Sequence, residues 1–287
     1  MRVDRRSFLG TGAALAAGAL LPAAAAPRLK LGLAAYSMRK YLDLKSPTMT
    51  LEEFIEKAAE WGVDGVELTE YYFKKPITPE YIIRIKRACI KAGLPVTGSP
   101  VGNTFTVPAG DVRDKNLALV KNWIDVSADL GSPAIRIFAG NAPKGTDETE
   151  ARKWAIECIE TVLPHAEKRG VCLAIENHGG IVATADGILA ITDAIKSDWF
   201  GINLDTGNFH SADIYAELER CAPRAVTCQV KVEISQAGKR EDADYARIVA
   251  IMKKANYHGF LTLEYESAEE PTTAIPKHLD LLRKAMM

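Results

Sequence analysis

From Leu31 to the C-terminus, short apolar runs alternate with stretches whose apolar residues recur at helical spacing. The apolar runs are Leu31–Tyr36, Val63–Leu68, Leu94–Gly98, Pro133–Phe138, Val171–Glu176, Phe200–Asp205, Ala225–Lys231 and Gly259–Glu264. Between them the pattern predicts helices over Leu51–Trp61, Pro79–Lys91, about Asp114–Leu130, about Glu148–Lys168, about Ala185–Lys196, about Ile214–Arg220, about Ala243–Ala255 and about Thr273–Met286. Thr50 stands at an N-cap, Pro79 opens a helix, and Gly62 and Gly93 close helices. Pro164 lies inside the fifth helix and is expected to kink it. Eight strand–helix units follow one another without a linker or a low-complexity segment. Alternation of this kind predicts an α/β protein with a parallel sheet, and eight units of this size predict a closed (β/α)8 barrel, a TIM barrel, rather than a doubly wound sheet.

Several runs end in polar residues that burial does not explain. Leu173-Ala-Ile-Glu176-Asn177-His178 passes from aliphatic to carboxylate, amide and imidazole within a few positions. Asn203-Leu-Asp205, Gln229-Val-Lys231 and Leu261-Thr-Leu-Glu264 end in the same manner. In a barrel the C-terminal strand ends converge on the active site. Glu176, Asp205, Gln229 and Glu264 are then expected to point to one spot. Three crowded carboxylates repel, and a divalent cation would relieve that repulsion. Oxygen donors with an amide carbonyl suit Mn²⁺ or Mg²⁺, with Co²⁺ or Zn²⁺ as further candidates.

The N-terminus has a different character. Arg5-Arg6-Ser-Phe-Leu precedes an Ala/Gly-rich stretch to about Ala26 that is short for a membrane span. It resembles a bacterial twin-arginine (Tat) signal peptide with an Ala23-Ala24-Ala25 cleavage site, which implies residues 1–25 as signal, 26–287 as one barrel domain, and export to the periplasm or another extracytoplasmic space. The whole chain has 287 residues, 25% of them charged, with a formal net charge of −1. No basic block is present, so nucleic acid is not an expected partner. The five cysteines show no C-x-x-C pairing and are read as buried thiols. Self-association into a homo-oligomer is left open.

The motifs GVEL at Gly65–Leu68, AIENH at Ala174–His178, LDTGN at Leu204–Asn208, QVK at Gln229–Lys231 and LEYE at Leu263–Glu266 resemble the sugar phosphate isomerase/epimerase family, with its xylose-isomerase-like TIM barrel. This resemblance spans nearly all of the chain after the signal. It implies a small-molecule carbohydrate substrate and a metal held by Glu, Asp, His and Glu from strands five to eight. Those positions carry over as Glu176, Asp205 and Glu264, while Gln229 replaces the usual histidine. The sixth strand departs too: Asn208 stands where many sugar epimerases have histidine. The resemblance further implies that Glu176 and Glu264 are an acid–base pair, one removing a proton next to a carbonyl and the other returning it through an enediolate.

Other residues are candidates for substrate contact: His178, Lys231, Glu67, Asn208, Tyr36 and Arg39. For Glu67 and Arg136 an internal ion pair is the simpler expectation. His210 is expected to be an exposed loop residue, and His165, His258 and His278 structural. Two functions compete with a metal-dependent isomerase or epimerase. One is an exported lyase or hydratase acting on 3-keto-glycosides, which begins with the same proton abstraction. The other is a barrel that binds sugar without catalysis. AP endonucleases share the barrel, but their metal cluster needs more histidines than the five present.

Overall fold

The computed structural model describes residues 28–287, so the expected signal sequence lies outside the described residues. The strands are β1 (Lys30–Ala34), β2 (Gly65–Glu67), β3 (Val96–Gly98), β4 (Ala134–Ile137), β5 (Cys172–Glu176), β6 (Phe200–Asp205), β7 (Ala225–Lys231), β8 (Glu233–Gln236), β9 (Lys239–Asp242) and β10 (Phe260–Glu264). The helices are α1 (Arg39–Leu42), α2 (Leu51–Glu60), α3 (Pro79–Ala92), α4 (Asp111–Leu130), α5 (Glu148–Arg169), α6 (Ala185–Ala194), α7 (Ile214–Cys221), α8 (Tyr245–Lys254) and α9 (Pro271–Met286).

Eight of the strands form one parallel sheet in the order β3-β2-β1-β10-β7-β6-β5-β4. Its two ends meet just beyond β3. There Ser99 N–H donates to Ala134 O at 3.0 Å and Val101 N–H to Arg136 O at 3.0 Å. These bonds bring the sheet round into a nearly closed barrel, as the alternation predicts. β8 and β9 form a separate antiparallel hairpin between β7 and α8.

The strand runs alternate in a manner that their hydrophobicity conceals. Leu33, Val66, Ile135, Ile175, Leu204, Val230 and Leu263 are buried aliphatics. The residues between them meet one another instead. Arg136 on β4 meets Glu176 on β5, and Gln229 on β7 crosses to Glu67 on β2. With a period of two, the first set faces the helices and the second faces the barrel axis. A parallel strand covered on both faces reads as apolar only where its axial positions are small.

Local signals set the helix ends. Thr50 and Glu53 form a capping box on α2. Asp147 caps α5, and Gly170 ends it in the left-handed conformation. The helix continues across Pro164 as one element. β1 is shorter than its apolar run, because the chain turns into a 3₁₀ segment at Ala35–Met38. The five cysteines are free, four of them buried and Cys172 partly so.

The β8–β9 hairpin was not expected from the pattern. Its two-residue turn is Ala237-Gly238, both at positive φ, 50° and 76°. Turns of this geometry favour Asn or Asp at the first position. Alanine there removes the usual signal, and the flanking residues are polar.

Candidate active site

The carboxylates expected to converge do so, but each meets a cation or donor from the chain itself. Glu176 at the end of β5 is buried. Arg136 Nε stands 2.8 Å from its Oε2, and Asn208 Nδ2 donates to its Oε1 at 2.9 Å. Arg136 is held in turn by Val101 O, which accepts from Nη1 at 3.0 Å. Burial raises the Glu176 pKa and the Arg136 charge opposes the rise, with a net upward shift. The expected Glu67–Arg136 pair is therefore replaced by Glu176–Arg136. Neighbouring strands place these two side chains together, whereas Glu67 lies on β2 and takes its hydrogen bond from across the barrel.

Asp205 is fully buried at the end of β6. Its Oδ1 accepts from Gly207 N–H at 2.8 Å, the usual two-residue loop of an Asp before a turn. Its Oδ2 takes no hydrogen bond, and its ionic partner is Lys231 Nζ at 3.3 Å. Burial pushes the Asp205 carboxyl up to about 8 against the pull of Lys231. Asn177 holds the backbone beneath it: Nδ2 donates to Asp205 O at 2.8 Å, and Asp205 N–H donates to Asn177 Oδ1 at 2.9 Å. The side-chain amide thus continues the β5–β6 pairing past the point where the backbones diverge.

Gln229 sits within a polar chain along the barrel axis. Thr227 Oγ1 donates to Asn203 Oδ1 at 2.7 Å, and Asn203 Nδ2 donates to Gln229 Oε1 at 2.6 Å. Gln229 Nε2 then donates to Glu67 Oε1 at 2.7 Å and, more weakly, to Glu264 Oε1 at 3.4 Å. The Gln229 carbonyl, the atom that would ligate a metal, is engaged by Asn203. Its amide hydrogens face the carboxylates. Glu67 has its pKa pushed up to about 8, first by burial and then by the nearby Glu264 charge.

Lys231 is the hub of the upper layer. Its ammonium forms ion pairs with Glu264, Glu266 and Asp205. Burial lowers its proton affinity, but the surrounding carboxylates more than offset that and hold it charged. The donor set as a whole does not present a metal cage. Arg136 and Asn208 cover Glu176, Lys231 stands between Asp205 and Glu264, and the Gln229 oxygen is occupied. Among the described residues, no group of three or more His, Cys, Asp or Glu side chains is placed to hold a metal ion.

Above this layer lies a cavity of about 450 Å³, lined by Arg39, Asn208, Lys231, Glu233, Arg240 and Glu266 among others. A second cavity of about 650 Å³ adjoins it at Arg39 and is lined by Tyr36, Lys40, Tyr71 and Tyr72. Arg39 is anchored by donating from Nη1 to Tyr265 O at 2.7 Å. Asn208, Lys231, Tyr36 and Arg39 thus line cavities. Glu67 lies deeper and bonds Gln229. His178 is exposed, with its ring on Phe138 at a centroid separation of 4.5 Å, and lines neither cavity. His210 is an exposed residue outside both cavities. His165 and His278 bond Asp125 and Tyr245 between elements of the helical layer, and His258 bonds Asn256 and accepts from Arg28 N–H near the start of β1.

Glu266, Asn203 and Arg240 join the site with no role assigned to them from sequence alone. Glu266 lies within the LEYE motif, two residues beyond Glu264 and so on the same side if the strand direction continues. Asn203 bears the same period-two relation to Asp205. Arg240 carried no such signal, because its place depends on the hairpin.

Comparison with known proteins agrees with this architecture. Residues 55–285 match the xylose isomerase-like TIM barrel family, and the chain belongs to it. Among characterised sequences it is similar to 3-oxo-isoapionate decarboxylase of Pectobacterium atrosepticum, 23% identical over 208 residues, covering 71% of this chain and 68% of that protein. It is also similar to a putative L-ribulose-5-phosphate 3-epimerase of Haemophilus influenzae, 23% identical over 243 residues, covering 78% and 83% respectively. Among solved structures, 3-keto-D-glucoside 4-epimerase from E. coli superposes with a TM-score of 0.72 at 17% identity, over 90% of this chain and 100% of the other. An L-ribulose 3-epimerase superposes with a TM-score of 0.74 at 18% identity, over 90% and 95%. These structural likenesses establish the fold. No described helix is long and apolar enough to cross a membrane.

Proposed function

We propose that the protein is a carbohydrate isomerase or epimerase that moves a proton at the carbon next to a carbonyl, with Glu176 as base and Glu264 as its counterpart. The observation that carries this reading is the pair of buried glutamates on β5 and β10, on either side of β6 and β7, beneath a polar cavity of about 450 Å³. Desolvation makes Glu176 a stronger base than a surface glutamate, which suits abstraction of a weakly acidic proton near neutral pH. Asn208, bonded to Glu176 and facing the cavity, positions that carboxylate toward the substrate. Hydroxyl-rich ligands match a cavity wall of Arg39, Glu233, Arg240 and Glu266.

The names of the similar proteins, sugar epimerases and a decarboxylase acting on an oxo-sugar acid, favour chemistry beside a carbonyl. The expected divalent ion would have to displace Lys231 and share the Gln229 carbonyl with Asn203. A 3-keto-glycoside lyase remains the second reading. It has the same first step, and the twin-arginine N-terminus fits an exported enzyme of that kind.

The test is incubation in deuterated water with a panel of ketoses and 3-keto-glycosides, followed by NMR. Deuterium entering without loss of a substituent supports epimerisation, and release of an aglycone supports the lyase. Exchange that survives in Glu176→Gln sinks the assignment of the base.

A further inference from the structure

We propose that the Lys231 ammonium fills the electrophilic role for which a divalent ion was expected, so that the protein polarises its substrate carbonyl with its own side chain. This rests on the proton-transfer reading above. Three features of the site support it. The first is occupancy of the carboxylate cluster: Lys231 Nζ bridges Asp205, Glu264 and Glu266, and its side chain is only 8% exposed. An ion placed among the same carboxylates would meet a like charge at contact range.

The second is that the lysine is built in. Its backbone N–H donates to Thr206 Oγ1 at 2.9 Å. Its stem lies against Gly207, where an added Cβ would stand 2.7 Å from Lys231 Cγ and 3.0 Å from Lys231 Cβ. Glycine in the turn after β6 therefore leaves room for the lysine stem.

The third is access. Lys231 lines the 450 Å³ cavity, whereas Glu176, Asp205, Gln229 and Glu264 are not among its lining residues. A carbonyl oxygen entering from that cavity meets the ammonium ahead of those groups. The Gln229 carbonyl already accepts from Asn203 at 2.6 Å, so a metal would have to share that oxygen.

The step then balances within the chain. The α C–H bond breaks and its proton passes to a Glu176 oxygen. The bonding pair becomes the C=C bond, and the carbonyl π pair moves onto oxygen, which accepts an N–H from Lys231. Glu264 enters the step carrying a proton and gives it to the carbon as the C=O bond re-forms. Glu176 then releases its proton to solvent, Glu264 takes one up, and Lys231 remains protonated throughout. Charge of this kind, fixed in place before the reaction, needs no reorganisation as the oxyanion develops.

The experiment has two arms on the full chain. In the first, metal-stripped protein is titrated with Mn²⁺ and free ion is followed by electron paramagnetic resonance. The free signal is expected to track added ion. Saturable uptake that Glu176→Gln abolishes overturns the proposal. In the second arm, deuterium exchange is measured with a responsive carbonyl sugar. Chelator-treated wild type is expected to exchange undiminished, and Lys231→Met to lose roughly 10²–10³-fold in kcat with KM little changed. Lys231→Arg is expected to recover a part of that loss, which a purely structural lysine would not show as a kcat effect. Undiminished exchange by Lys231→Met, or exchange by wild type that a chelator stops and Mn²⁺ restores, overturns it. If Lys231→Met fails to fold, Lys231→Arg and the wild-type titration decide. If no carbonyl sugar exchanges, the sugar reading falls, while the Mn²⁺ arm still tests Lys231.

Discussion

The two ends of the barrel are built from the same strands and differ in what fills the axis. At the N-terminal end the fit is steric. A Cβ on Gly32 would come within 2.6 Å of Thr262 Oγ1, and one on Gly65 within 2.9 Å of Phe260 Cε1. Small residues there admit a phenyl ring and a threonine from β10. Two positions beyond Gly65 and Thr262 stand Glu67 and Glu264, and on the other strands Arg136, Glu176, Asp205, Gln229 and Lys231 occupy the axis towards the C-terminal ends. The outward aliphatics continue past both layers unchanged. Hydrophobic packing against the helices therefore supports the whole barrel, and the upper axis is free to hold groups that would otherwise cost stability. Buried ion pairs contribute little net stability but penalise the loss of one partner. The upper layer is thus specified by chemistry and the lower one by volume, in keeping with the division between the two faces of this fold.

The comparison can be broken most directly at Glu176. Glu176→Gln is expected to lower proton exchange by about 10²–10⁴-fold, the usual range for loss of a general base, while folding cooperatively by circular dichroism. A rate loss matched by Gly65→Ala would show that the division between layers is false.

Next in size is Arg136→Met. It leaves the Glu176 carboxylate buried without its guanidinium, and the expected cost is about 3–5 kcal/mol in denaturant unfolding. The double variant Arg136→Met with Glu176→Gln should regain most of it, since the stranded charge is gone. No recovery would mean that Arg136 acts by packing on Phe138, whose ring centroid is 3.7 Å from the guanidinium carbon.

Gly65→Ala probes the lower layer. Overpacking against Phe260 and Thr97 should destabilise by about 1–3 kcal/mol, with exchange per folded molecule unchanged. Thermal unfolding and active-site-normalised rates check both halves of this expectation.

The remaining test is a pH slope from Glu67. Its folded pKa of about 8 lies above its unfolded value of 4.5. Between those values the unfolded chain has released the proton that the folded chain retains. Its contribution is fully present below pH 4.5 and is lost as pH rises through about 8. Glu67→Gln should flatten the fall in Tm over this window. An unchanged slope would place the titration elsewhere in the upper layer.

Much of this architecture was legible in the sequence, and for local reasons. Strand runs, helix caps and the carboxylates at the ends of β5, β6 and β10 are set by residues within a few positions of one another. The hairpin was not legible, because Ala237 adopts a positive φ that alanine seldom signals and its flanks lack an apolar face. Nor were the partners of the site residues. Which group meets Glu176 depends on strand register and on the way the sheet curls, and neither is local.

The amino-acid sequence by itself determined the eight units, the apolar outer face of each strand and the acidic groups at the barrel mouth, since period and position along a strand are properties of adjacent residues. Only the tertiary structure decided that Arg136 pairs with Glu176 and not Glu67, that Gln229 turns its amide toward the carboxylates, and that Lys231 stands among Asp205, Glu264 and Glu266. The physical reason is closure. Groups far apart in sequence share one axis only when the barrel is complete, and their charges then select partners by proximity within a space that excludes water.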